Sequence, residues 1–250
     1  MNFAAVLAEH ARTRGARPAL VEGARVIDHR GFDLRVRRIA ADLNAQGIGR
    51  GTIVGIALRD RIEHLLSIYA VACAGAAVLP LDWRWRREEI ERAAGFFGAA
   101  LVLIEPGVQL EGVRTAVVDA DWQRSVESEP ALAGYPDDGQ APAILSLSSG
   151  TTGRPKGPML SHDQFVARFL FQQKTLGMSG ADRYLSATPL YFGAGRGLAM
   201  GCLHAGGAVV LFPPPYEPPA LVEAAASNRA SVLLLVPTLL RRLLEHARAE

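Results

Sequence analysis

The chain has 250 residues, 49% of them hydrophobic, enough to bury a sizeable core in one large domain or two smaller ones. Charged residues make up 21% and the formal net charge is +2, a balance too even for a nucleic-acid partner or a polybasic membrane surface. Cys73 and Cys202 are the only cysteines, stand in no metal or redox spacing, and read as reduced, buried thiols.

The opening stretch, MNFAAVLAEHARTRGARP, has an apolar run too short for a secretion signal and meets Glu9 and His10 at once, which predicts a cytoplasmic protein. In FDLRVRRIAADLNAQ (32–46), Leu34, Ile39 and Leu43 share a helical face and Gly47 is a natural stop. TIVGIAL (52–58) reads as a buried strand. The uncharged run 65–81 is seventeen residues long and ends at Pro80 and Leu81, short of the ~20 needed to span a bilayer. It is predicted as a buried helix over 61–74, a turn at Gly75 and a strand over 77–81, with no membrane span. WRWRREE (83–89) mixes aromatics and arginines, but Glu88, Glu89 and Glu91 offset the charge, which predicts a helix entry with a solvated face rather than a nucleic-acid surface.

A helix over 86–97 and strands over 100–104 and 115–118 follow. Residues 119–142 are poor in pattern and hold Pro130, Gly134, Pro136, Gly139 and Pro142, which predicts a linker and a division into subdomains 1–142 and 143–250. Beyond it, 143–148 reads as a strand, and Ser161 opens a helix with Gln164 at the capping-box position. Phe165, Val166, Phe169 and Leu170 are expected on its buried face, with Gly177 as its stop. His162 reads as a surface residue of the first turn, or as one near a nucleotide. Arg196, in GAGRG, reads as a surface-loop arginine, with contact to an anionic substrate group as the alternative. A strand at 207–212, a stiff PPPYEPP connection, a helix at 220–227 and a strand at 231–236 complete the run. The six histidines form no metal-ligand spacing. Strands alternating with helices predict an α/β fold of mainly parallel βαβ sheets with flanking helices, in two lobes.

The stretch richest in chemistry is SLSSGTTGRPKG (146–157), which contains Lys156, one of only two lysines in the chain. Gly150, Gly153 and Gly157 allow positive φ and close backbone approach, so consecutive N–H groups can form an anion-binding nest. Ser148, Ser149, Thr151 and Thr152 add hydroxyls, and Lys156 a mobile cation of the kind used on phosphates. Composition alone leaves two readings, a polyphosphate grip or a surface turn with a solvated lysine. The P-loop pattern is not met, because Arg154 and Pro155 part Gly153 from Lys156 and Gly157 follows it; the dinucleotide G-x-G-x-x-G pattern is absent from this stretch too.

The order of residues adds what composition cannot: SLSSGTTGRPKG followed by MLSH resembles the phosphate-loop signature of the AMP-forming acyl-CoA synthetases and their adenylate-forming relatives. The segments GFDLRVRRIAADLNAQGIGRGTIVGIAL, GAAVLPLDWRWRREEI, ATPLYFGAG and GGAVVLFPPPYEPPALVEAAASNRASVLLLVPTLL are similar to further family segments in the same order. The resemblance implies a two-step ligation, in which a carboxylic acid, fatty or aryl, is activated by ATP with Mg²⁺ and then passed to a thiol, CoA rather than a carrier protein. It implies that Ser148, Ser149, Gly150, Thr151, Thr152, Gly153 and Lys156 form the phosphate loop, with Lys156 also catalytic. The chain departs from the pattern at Pro158, where relatives carry an aliphatic residue, and at Phe192, where many have a histidine close to the carboxylate. Phe192 cannot donate a hydrogen bond but can wall an apolar acyl pocket. Motifs expected downstream are missing, so the chain is expected to be an N-terminal portion, inactive alone, and prone to form a homodimer or aggregate through uncovered strand edges. The rival reading is a non-catalytic relative serving as a nucleotide-binding or assembly module.

Overall fold

The computed structural model describes residues 1–146 and 157–249. In chain order the elements are α1 (Val6–Arg14), β1 (Pro18–Glu22), β2 (Arg25–Asp28), α2 (His29–Ala45), β3 (Ile53–Ala57), α3 (Ile62–Cys73), β4 (Ala77–Pro80), α4 (Arg87–Phe97), β5 (Leu101–Ile104) and β6 (Thr115–Val117). They continue with α5 (Ala120–Ser128), β7 (Pro142–Leu145), β8 (Met159–Ser161), α6 (His162–Leu176), β9 (Arg183–Ser186), α7 (Gly193–His204), β10 (Ala208–Leu211), α8 (Pro218–Ser227), β11 (Val232–Leu233) and α9 (Pro237–Ala249).

Local chemistry sets the long helices. The Asp28 side chain caps α2 by accepting the Gly31 amide at 2.7 Å, Phe32, Val36, Ile39 and Leu43 form the buried stripe, and Gly47 turns the chain out at φ +81°. A capping box opens α6: the Gln164 amide donates to Ser161 Oγ at 3.3 Å and the Ser161 amide to Gln164 Oε1 at 2.9 Å. Phe165 and Phe169, one turn apart, are buried, whereas Leu170 points 100° away and is exposed, contrary to the expected face.

Two mixed sheets result. The order β11-β9-β10-β1-β2 is parallel except for the β1–β2 hairpin, and β6-β5-β3-β4-β7-β8 is parallel except for β7–β8. Each sheet draws strands from both sides of position 142, since β1 and β2 join β9–β11 while β7 and β8 join β3–β6. All of α3 is buried, and it packs on β1 of one sheet and on β3 and β4 of the other. The run 65–81 is thus the expected buried helix, turn and strand, and no helix of the described residues is long and apolar enough to cross a membrane. Both cysteines are free and buried.

Several elements were not expected. The linker holds α5, capped by Asp119 accepting the Trp122 amide at 2.8 Å; with Val126 as its one buried residue it gave no apolar stripe to read. The strand expected over 231–236 is paired only at Val232 and Leu233.

Candidate functional site

The carboxyl ends of parallel strands are where loops can converge on a ligand. At this end of the six-stranded sheet, β7 runs beside β4 with Val78 opposite Ile144 and turns back as β8, with Leu145 opposite Met159. The Ser146 amide, just past the carboxyl end of β7, donates to Pro158 O at 3.0 Å, which joins the residues on either side of 147–156. Ser148, Ser149, Gly150, Thr151, Thr152, Gly153 and Lys156 lie outside the described residues. Pro158, whose ring removes an N–H, contributes its carbonyl to this closure.

His162, the first residue of α6, is buried rather than on the surface. It is 1% exposed, its ring lies 5.0 Å from the Phe3 ring at a 45° tilt, and its Nδ1 accepts the Phe3 amide (3.4 Å); burial pushes it down to about 4.

A second constellation gathers after β9. The turn Thr188–Phe192 is held by four hydrogen bonds from three partners: Thr188 Oγ1 donates to Leu234 O (2.8 Å), the Leu190 amide to Asp60 Oδ1 (2.7 Å), and Arg196 Nη1 to Leu190 O (3.0 Å) and Tyr191 O (2.8 Å). Gly195 lets α7 reach the turn closely, because a Cβ there would stand 2.5 Å from Thr188 O. Phe192 sits at the N-cap of α7, 54% exposed, without a side-chain cap for the helix. Tyr191 lies 5.1 Å beneath the Arg84 guanidinium and hydrogen-bonds it through its hydroxyl, and Arg84 forks onto Asp82 at 3.0 and 2.8 Å.

Behind the turn, Asp60 is 2% exposed; its Oδ2 has no hydrogen-bond partner among the described residues, and burial lifts the carboxyl to about 6 against the Leu190 bond. His64, fully buried with Nδ1 3.0 Å from Leu58 O, is pushed down to about 4 by burial, with the Arg196 charge adding to it. A cavity of about 310 Å³ opens beside the turn, lined by Ala187, Pro189, Tyr216, Val236 and Leu239 among others.

Of the sequence candidates, Phe192 and Arg196 come together on one helical turn, and Arg196 is buried inside α7 rather than on a surface loop. The glycine stretch was read as loop because glycine is a poor helix former; burial of residues 195–203 overrides that propensity. Sequence reasoning missed Asp60, Arg84 and Tyr191. The signal for Asp60 was its place just after a buried parallel strand, in ALRDR.

The family model described as AMP-binding enzyme matches residues 7–250. Surfactin synthase subunit 3 of Bacillus subtilis (strain 168) is 30% identical over 184 residues, 71% of this chain and 14% of that protein. Tyrocidine synthase 1 of Brevibacillus parabrevis is 30% identical over 179 residues, 70% of this chain and 16% of that one. The chain therefore spans a small part of these curated relatives. Among solved structures, a nonribosomal peptide synthetase in its α-methyl-L-serine-AMP bound form superposes with a TM-score of 0.89 at 24% identity, covering 100% of this chain and 28% of that one. A long-chain-fatty-acid-CoA ligase from Archaeoglobus fulgidus gives 0.90 at 19% identity, covering 100% and 54%. These two likenesses show a shared fold.

Proposed function

Because this chain belongs to the AMP-binding enzyme family, we propose that the protein it forms activates a carboxylic acid with ATP to an acyl-adenylate and hands the acyl group to the thiol of CoA. A carboxylate oxygen attacks the α-phosphorus, the bond from that phosphorus to the bridging oxygen breaks, and pyrophosphate leaves with the electron pair. Charge gathers on the departing group, where preorganised N–H and O–H donors and a lysine are worth most. Ser148, Ser149, Gly150, Thr151, Thr152 and Gly153 supply the donors and Lys156 the cation. The observation that supports this reading is the β7–β8 hairpin, whose Ser146–Pro158 bond joins the residues on either side of that segment next to a strand's carboxyl end.

Mg²⁺, when bound with ATP, would neutralise charge on the phosphates. The acid is a fatty or aryl one. Phe192 presents an exposed ring, an apolar surface that suits a fatty or aryl group. Exchange of labelled pyrophosphate into ATP, run with octanoate, benzoate and a panel of L-amino acids, tests this. Exchange driven by octanoate or benzoate is expected; exchange driven by amino acids alone overturns the substrate class, and none with any acid leaves the non-catalytic module standing.

A further inference from the structure

A cavity of about 310 Å³ opens where β2, α2, α3 and α5 meet, and it shares no residue with the candidate site. Helical spacing builds its walls. Arg35, Arg38 and Ile39 stand three and four residues apart on α2, and Trp122 and Val126 four apart on α5, so each helix turns one face to the same space. Ile27 of β2 and Leu66 of α3 are buried and complete an apolar lining. Ligand pockets begin at roughly 300 Å³, so the space suits a small molecule.

Three arginines line this cavity, and their surroundings differ. Arg25 lies 2.5 Å from Glu63 and 3.2 Å from Glu22, and Arg35 lies 3.5 Å from Glu127. Arg38 forms no ion pair or hydrogen bond with the described residues, and its Nε is buried without a partner. A partly buried charge among apolar side chains is costly unless an opposite charge answers it. The helix that closes the cavity is thinly held as well, since Val126 is the one buried residue of α5. A molecule seated between α2 and α5 would pack on Trp122 and Val126 and hold that helix in place.

We propose that this cavity binds a small monocarboxylate with an apolar body, its carboxylate on the Arg38 guanidinium and its apolar part against Ile39, Leu66, Trp122 and Val126. The site goes beyond the ligase reading and does not depend on it. One unanswered arginine calls for one negative charge, and inorganic phosphate has no part to place against apolar walls. Glu63 is 1% exposed and its Oε2 has no hydrogen-bond partner among the described residues, a feature that alone would favour an amine; the Arg25 charge beside it already neutralises it.

The test is hydrogen–deuterium exchange of the full protein with 3-phenylpropionate, read in peptides covering residues 120–128. 3-Phenylpropionamide and 2-phenylethylamine serve as neutral and cationic counterparts of similar shape. At about ten times its Kd, taken from the concentration dependence of the protection, 3-phenylpropionate is expected to slow exchange in α5 about tenfold. The two counterparts at the same concentration should leave it unchanged. Arg38→Gln removes the charge and should need about tenfold or more probe for equal protection, with Arg38→Lys recovering part of the loss. Equal protection by the amide or the amine, wild-type protection in Arg38→Gln, or no protection in 120–128 would overturn the proposal. Protection confined to peptides around 188–196 would put the probe at the candidate site and overturn it too. The comparison of the three probes is made on wild type, so it decides the question even where Arg38→Gln fails to fold.

Discussion

Asp60→Asn should make this protein more stable, and by an amount that depends on pH in a definite way. Asp60 is 2% exposed, its Oδ1 accepts the Leu190 amide at 2.7 Å and its Oδ2 has no hydrogen-bond partner among the described residues. Burial outweighs that bond and lifts the carboxyl from 3.8 to about 6. Below pH 3.8 the group is protonated in both folded and unfolded chains and costs nothing. As the pH climbs towards 6, the unfolded chain releases its proton first, and the penalty grows to about 3 kcal/mol at neutral pH. Asparagine keeps the acceptor for Leu190 and carries no charge. The variant is therefore expected to match wild type at pH 3.5 and to exceed it by about 3 kcal/mol at pH 7, with the gap opening between. Urea unfolding of both proteins across this range measures the gap, and titrations common to both cancel in the difference. A gap that stays flat with pH, or a variant less stable at pH 7, would refute the reasoning.

The remaining expectations concern other residues. His29, His64, His162 and His204 are each pushed from 6.5 down to about 4 by burial, so stability should be lost as the pH falls from 6.5 towards 4; circular dichroism showing an undisturbed fold down to pH 4 would contradict this. Gly195→Ala would place a Cβ 2.5 Å from Thr188 O and 2.7 Å from Pro189 O, both backbone atoms that cannot swing aside. A loss of about 2 kcal/mol is expected in thermal or urea unfolding, and an unchanged midpoint would show that the turn gives way freely. Lys156→Ala should lower turnover ~100-fold or more in pyrophosphate exchange, and an unchanged kcat would remove the lysine from the mechanism.

What could be read in advance follows how local each signal is. The C-terminal end of α2 and both ends of α6 are written in adjacent residues, Gly47 for the one and Ser161 with Gln164 and Gly177 for the other, whereas α2 starts at His29 behind the Asp28 cap, ahead of the expected residue 32. The run 65–81 was legible because its apolar length and Gly75 exclude other arrangements. By contrast, α7 carries glycines at 193, 195, 197 and 201 and is helical because α6, β9 and β10 pack around it, which no short window shows. The pairing of β1 with β10 across the whole length of the chain is equally non-local. The proposed site divides in the same way. The phosphate-loop motif was visible as a word in the sequence, whereas Asp60 meets Leu190 and Arg84 meets Tyr191 only through folding.

The most direct test of the central claim is a crystal structure of the protein with a non-hydrolysable ATP analogue. The account requires the triphosphate to lie among the backbone amides and hydroxyls of residues 148–153, with Lys156 on its β- and γ-phosphates. A triphosphate bound elsewhere, with those residues turned to bulk solvent, would contradict it.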